Sequence, residues 1–356
     1  MPPHTYVPTT VPATAPTAPP TVPAPGTTPR ARDWPRLTTV PEKIHYYTDD
    51  LAFREGWATA RRALGDLWAT ALQRTALLTL RPDGIAHEAL DGTLAYLAGH
   101  GFEVIAAHPV RYGANRAREL WRYQWNAATA DRLAVTREVL EAGDGLLLVC
   151  FAAGPLTTPA SSLCARTKGS ALPEARRPGD LRTLLGAPNR VLTLVHAADE
   201  PADVLRELPV VLSRTDQAAT WRAVREAEDA RRAGRPPRTV LPVPPPSRGP
   251  LPELPAAVRT LLRHTAEHPH SAARRLGALL DALVRAPHDA PQHWREHGFD
   301  WELWATALDS CGADHRSWES LVVASHAVVS NLAADSLIRG AGRSRWLNGE
   351  GDFVAV

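Results

Sequence analysis

The chain has 356 residues, more than one domain usually takes, so two domains with tails are expected. Its apolar share of 44% supplies a sizeable core, and a formal charge of +2 excludes bulk attraction to nucleic acid or to a membrane surface. Three cysteines without CxxC spacing exclude a disulfide framework or zinc knuckle and point to a reducing cytoplasm, while no signal pattern or bilayer-length apolar run is present.

Residues 1–34 are rich in Pro, Thr and Ala and cannot bury enough surface to offset their ordering entropy, so a disordered tail is expected. Residues 35–73 are an N-terminal helical extension in which order begins near Thr48: Thr48-Asp49-Asp50 supplies a cap, and Leu51, Trp57, Leu64, Leu67 and Trp68 recur at helical spacing. From Thr75 short apolar runs alternate with helical stretches. Thr75–Leu80 reads as a buried strand and Arg81-Pro82-Asp83-Gly84 as a turn. A helix over Glu88–His100, a strand over Phe102–Val110, helices over Arg116–Trp125 and Asp131–Glu141 and a strand over Gly145–Phe151 follow. A loop over Leu163–Gly186 leads to a fourth strand, Arg190–Val195, which ends at His196.

This order predicts an α+β, ferredoxin-like βαββαβ sandwich over residues 74–234, with helices covering one sheet face. No glycine-rich phosphate loop follows any strand, which argues against a doubly wound nucleotide-binding fold. Residues 235–252 form a Pro-rich linker, 253–347 an all-α helical domain and 348–356 a C-terminal tail. His264 and His268, and His293 and His297, have the four-residue spacing of helical metal pairs. No cysteine or carboxylate pattern completes them, so no metal site is expected, and Trp294, Trp301, Trp304 and Trp318 read as core.

Four segments together resemble nucleoside diphosphate kinases over roughly residues 75–212: ALLTLRPDGI, LAYLAGHGFEVIAAHPV, RRPGDLRTLL and VHAADEPADVLRELPVVL. The resemblance implies that His196 is a phosphorylated nucleophile and that Glu207 orients it. Arg182 becomes a phosphate ligand, with Arg81 at the position of the family's turn lysine and Thr193 at that of an asparagine. Arg166 is a second candidate clamp, with Lys168 at the edge of the site. Tyr123 or Trp125, completed by Leu133, is expected to form an apolar slot for the base. Asp83 is expected to hold its turn. The implied ligands are nucleoside di- and triphosphates with Mg²⁺, and the implied assembly a homo-oligomer. Neither nucleic acid nor membrane is expected as a partner, and the helical domain is a candidate surface for a protein partner.

The physical chemistry of these residue types agrees. Neutral imidazole is a competent nucleophile near pH 7, its second nitrogen needs a partner to fix the tautomer, and arginine's planar fork suits phosphate oxygens. The sequence departs from the family pattern at Arg81, at Ala197-Ala198 in place of Gly-Ser, and at Ala171 in place of a phosphate-contacting threonine. Two functions are therefore weighed: phosphoryl transfer from ATP through phosphohistidine to a nucleoside diphosphate or related acceptor, or nucleotide sensing without transfer.

Overall fold

The computed structural model describes residues 28–267, 274, 276–278, 280, 298–329, 331, 332, 335–338 and 343–355. Order begins earlier than expected: Ala31–Arg36 is a 3-10 turn whose Trp34 stacks on Phe53 at 5.2 Å between ring centroids. Helices α1 (Pro41–Tyr47), α2 (Leu51–Leu64) and α3 (Trp68–Gln73) follow. Pro41 preorganises the first turn of α1, and Asp50 caps α2 by accepting from the Phe53 amide at 2.8 Å.

Strand β1 (Thr75–Leu80) is followed by α4 (Pro82–Ala86), α5 (Leu90–Gly99), β2 (Phe102–Val110), α6 (Gly113–Leu120) and α7 (Ala130–Glu141). Strand β3 (Gly145–Ala152), α8 (Ala160–Lys168), α9 (Leu181–Leu184), β4 (Val195–Ala197), α10 (Pro201–Val211) and α11 (Arg214–Arg232) complete the middle of the chain. The four strands form one antiparallel sheet in the order β2-β3-β1-β4, with Thr79 of β1 opposite His196 of β4.

The expected one-sided cover is corrected, because both sheet faces are buried. Leu77, Leu147, Val149 and Phe151 pack with Phe53, Trp57, Leu205, Leu208 and Trp221 on one side. Leu78, Leu80, Leu146, Leu148 and Cys150 pack with Leu97, Ala160, Cys164 and Leu181 on the other. An uninterrupted apolar strand such as TALLTL has no solvent-facing row to offer, which is why it demands helices on both sides. The loop expected over residues 163–186 is likewise corrected, since α8 runs into it as far as Lys168 and α9 lies within it.

The Pro-rich segment after α11 has no regular element but is tied down, with the Val240 amide donating to Val104 O and the Leu251 amide to Ala86 O, each at 2.9 Å. Helices α12 (Leu254–Glu267), α13 (Trp301–Ser310) and α14 (Trp318–Ala327) turn Val258, Leu261, Trp301, Trp304, Leu308, Trp318 and Leu321 into a cluster that includes Val135 and Val139 of α7. His268, His293, Trp294 and His297 lie outside the described residues. After α15 (Arg343–Leu347) the expected C-terminal tail is docked instead. Arg74 Nη2 donates to Ala355 O at 2.8 Å, and the Val354 amide donates to Gln73 Oε1 at 2.8 Å. No helix among the described residues is long and apolar enough to cross a membrane.

Candidate active site

The expected strand over residues 190–195 forms only as Val195–Ala197, and the reason lies in its polar neighbours. Asn189 Oδ1 accepts from the Val191 and Leu192 amides, each at 2.9 Å, which pulls this stretch out of the ladder. Leu194 then takes φ +62, a strained backbone for a branched side chain. Its amide donates to Asp83 Oδ2 and its carbonyl accepts from the Arg81 amide, both at 2.9 Å. Gly84 lies so close that a Cβ there would overlap the Leu194 carbonyl. The Arg-Pro-Asp-Gly segment is thus a one-turn helix, α4, that clamps the backbone two residues before His196.

Two side chains fix the His196 ring. Nε2 lies 3.0 Å from both Oε1 and Oε2 of Glu207, which sits on the second turn of α10. A carboxylate only accepts, so Nε2 carries the proton and the Nδ1 lone pair is left for chemistry. Trp121, just beyond α6, donates its indole N–H to Nδ1 over 3.4 Å and meets the imidazole edge-on. Helix α10 is itself anchored by buried ion pairs. Lys43 Nζ contacts Glu200 at 2.9 Å and Asp203 at 2.5 Å, and Arg206 Nε contacts Asp50 at 2.8 Å.

A cavity of about 300 Å³ opens beside His196 and Glu207. Arg81, Arg132, Lys168, Arg182 and Arg190 all line it, as do Thr193 and Trp125. Arg81 donates to Asp83, to Thr193 Oγ1 and to Val191 O, so it braces the floor of the cavity. Arg182 donates to Gly169 O at 2.9 Å and Val195 O at 2.6 Å. Burial, joined by repulsion from Arg81 and Arg176, holds its guanidinium below the ordinary value. Burial also lowers the Lys168 ammonium, whose Nζ lies 3.3 Å from Ala197 O and 3.8 Å from Asp199.

Of the residues expected from sequence, His196, Glu207, Arg81, Arg182, Thr193 and Trp125 therefore meet at one cavity. Three expectations are corrected. Tyr123 is buried away from it, donating to Asp50 Oδ2 at 2.9 Å beneath Tyr46 and Tyr47. Arg166 is exposed on α8 outside the lining. Leu133 faces a separate cavity of about 260 Å³ lined with Ala114, Ala117, Ala130 and Ala134, and Trp125 is common to both. Sequence reasoning missed Trp121, Arg132 and Arg190. Arg132 and Thr136 are four apart on α7 and both reach the cavity, a helical spacing that could have singled out the pair.

Comparison with solved structures finds nucleoside diphosphate kinases. That of Aquifex aeolicus is 20% identical, covering 40% of this chain and 96% of its own, with a TM-score of 0.34. The enzyme of Encephalitozoon cuniculi gives 15% identity, 38% and 87% coverage and a TM-score of 0.33. That of Pyrobaculum aerophilum gives 16%, 40% and 97%, and 0.32. No protein-family model matches the chain, and no curated protein sequence matches it.

Proposed function

We propose that this protein transfers a phosphoryl group from a nucleoside triphosphate through a phosphohistidine at His196 to a nucleoside diphosphate or related acceptor. The observation that carries the reading is the oriented imidazole: Nε2 is held at 3.0 Å by Glu207, which leaves the Nδ1 lone pair as the nucleophile, and His196 lines a cavity that Arg81, Arg132, Lys168, Arg182 and Arg190 line as well. The β2-β3-β1-β4 order agrees with a ferredoxin-like sandwich as its scaffold.

In this scheme the Nδ1 lone pair attacks the γ-phosphorus as the bond to the β,γ-bridging oxygen breaks, and that electron pair leaves with the nucleoside diphosphate. The Nε2 proton stays against Glu207, whose negative charge offsets the positive charge that the ring acquires. An oxygen of the acceptor's terminal phosphate then attacks the phosphohistidine, and the ring recovers its lone pair. Arg182 and Lys168 offset the phosphate charge, and Trp121 can turn its N–H from Nδ1 to a phosphate oxygen. Among the described residues no group of three or more His, Cys, Asp or Glu is placed to hold a metal ion. Mg²⁺, which the resemblance implies, would come with the triphosphate as part of the substrate and would offset its charge beside Arg182 and Lys168. Trp125, which lines the His196 cavity, is the proposed stacking partner of the base.

Incubation with ATP labelled in the γ-phosphate tests the transfer. Acid-labile, alkali-stable label on the wild type and none on His196→Gln supports it. Nucleotide binding with no label on either supports the sensing alternative, which is favoured by the engagement of Arg81 with Asp83, Thr193 and Val191.

A further inference from the structure

Arg132 and Arg190 have no role in the scheme above, yet both point into the same cavity from different parts of the chain, one on α7 and one in the loop after α9. Arg132 donates to Asn331 Oδ1. Burial, then repulsion from Arg190 and Arg81, lowers its guanidinium from the ordinary value, and burial lowers that of Arg190 too. Arg81 in turn repels Arg182, so the four guanidiniums form a run of neighbouring like charges along one cavity. Asp83 pairs with Arg81 at 3.1 Å and the carboxylates of Asp199, Asp203 and Glu207 also line the cavity, yet burial still holds Arg132, Arg182 and Arg190 below their ordinary values, so further negative charge brought by a ligand is favourable there.

The hydrogen-bond inventory shows the same demand. Nε of Arg190, Nε of Arg182 and Oε1 of Gln124 are buried with no partner among the described residues, and all three residues line this cavity. Buried polar atoms are ordinarily satisfied, and three of the unsatisfied ones belong to residues of this one cavity. The two Nε atoms are donors, and the Gln124 amide becomes one when it is turned over. A lone carboxylate or orthophosphate would offset one or two of these cations. A chain of linked phosphates offsets several, with paired oxygens at each link that match the guanidinium fork.

We propose that Arg132 and Arg190 form a second anion subsite in the His196 cavity, so that the ligand is recognised along a chain of linked phosphates, with inorganic triphosphate as the smallest compound that fills it. This deepens the phosphotransfer reading and rests on it only for which end of the chain faces His196.

Calorimetric titration of the full chain at fixed salt, with sodium tripolyphosphate, ATP, orthophosphate and adenosine, tests the proposal. Tripolyphosphate is expected to bind within about threefold of ATP, and orthophosphate and adenosine far more weakly, because charged hydrogen bonds carry the affinity. Arg132→Gln combined with Arg190→Gln should weaken tripolyphosphate by about 10- to 100-fold. Arg190→Gln alone, at a half-buried position, should give a smaller loss in the same direction, partly restored in Arg190→Lys, which keeps the result interpretable if the double variant is poorly folded. Tripolyphosphate that fails to bind, or binds the variants as it binds wild type, overturns the subsite. The two readings separate cleanly: label on His196 with no effect of the arginine variants sinks the subsite alone, while arginine-dependent binding without label sinks the transfer alone.

Discussion

The Glu207 carboxylate lies 3.0 Å from His196 Nε2 through both of its oxygens, across a strand end and the first two turns of a helix. That relationship selects the tautomer and therefore the reacting nitrogen. Replacing Glu207 by Gln keeps the size of the side chain but removes the charge that offsets the developing cation. Labelling of His196 from ATP should slow on the order of 10²-fold, as expected for loss of a group that acts in proton and charge placement. Rapid-quench measurement of the labelling rate checks this, and an unchanged rate would remove Glu207 from the scheme.

Gly84 should be intolerant of even a methyl group, because a Cβ there overlaps the Leu194 carbonyl that receives the Arg81 amide. Gly84→Ala is expected to cost roughly 1–3 kcal/mol of stability and to reduce labelling, since the strained Leu194 lies two residues before His196. Gly99→Ala, with open space around the added methyl and no positive φ, serves as the neutral control. Urea unfolding of the two variants beside wild type distinguishes them.

The Lys43 ion pairs should matter more than most. Burial alone would lower the Lys43 ammonium, yet Asp203 and Glu200 hold it well above its usual range. Lys43→Ala leaves two carboxylates buried without their cation, and breaking such a pair costs about 3–5 kcal/mol. Adding Asp203→Asn and Glu200→Gln to Lys43→Met should recover part of the loss. A Lys43→Ala chain as stable as wild type would contradict the anchoring of α10 by the N-terminal extension.

Acid should loosen the C-terminal helices through His326. Burial lowers its pKa in the folded chain, although its Nδ1 lies 2.9 Å from Val322 O, which favours the charged form. The unfolded chain binds the proton first, at its ordinary value of about 6.5. Stability contributed by this site is therefore lost as pH falls through that value, and is retained above it. Unfolding midpoints compared at pH 7.5 and 5.5 should fall more for wild type than for His326→Gln.

Legibility in the sequence followed the physics of each segment. Strands β1 and β3 were readable from short apolar runs that end in turn residues, and β2, though Glu103 and His108 interrupt it, was readable because the preceding helix stops at Gly101; it falls on the expected residues 102–110. His196 and Glu207 were readable through the ordered motifs around them. The limits of β4 were not, because RVLTLV is a good apolar run whose ladder bonds go instead to Asn189 and Asp83, partners remote from the strand pattern. Arg166 and Tyr123 were misassigned because which way a helical or loop side chain faces depends on neighbours distant in sequence. Tyr123, for instance, is drawn to Asp50, 73 positions away. The docked stretch at 352–355 was invisible for a similar reason, since it is held through backbone groups by Gln73 and Arg74.

The central claim concerns one nitrogen. After reaction with ATP, alkaline digestion and chromatographic separation of the two phosphohistidine isomers, with mass spectrometry to locate the residue, should find the phosphate on His196 and on Nδ1, because Nε2 is held by Glu207. Phosphate on Nε2, on another residue, or nowhere in the chain would contradict the account.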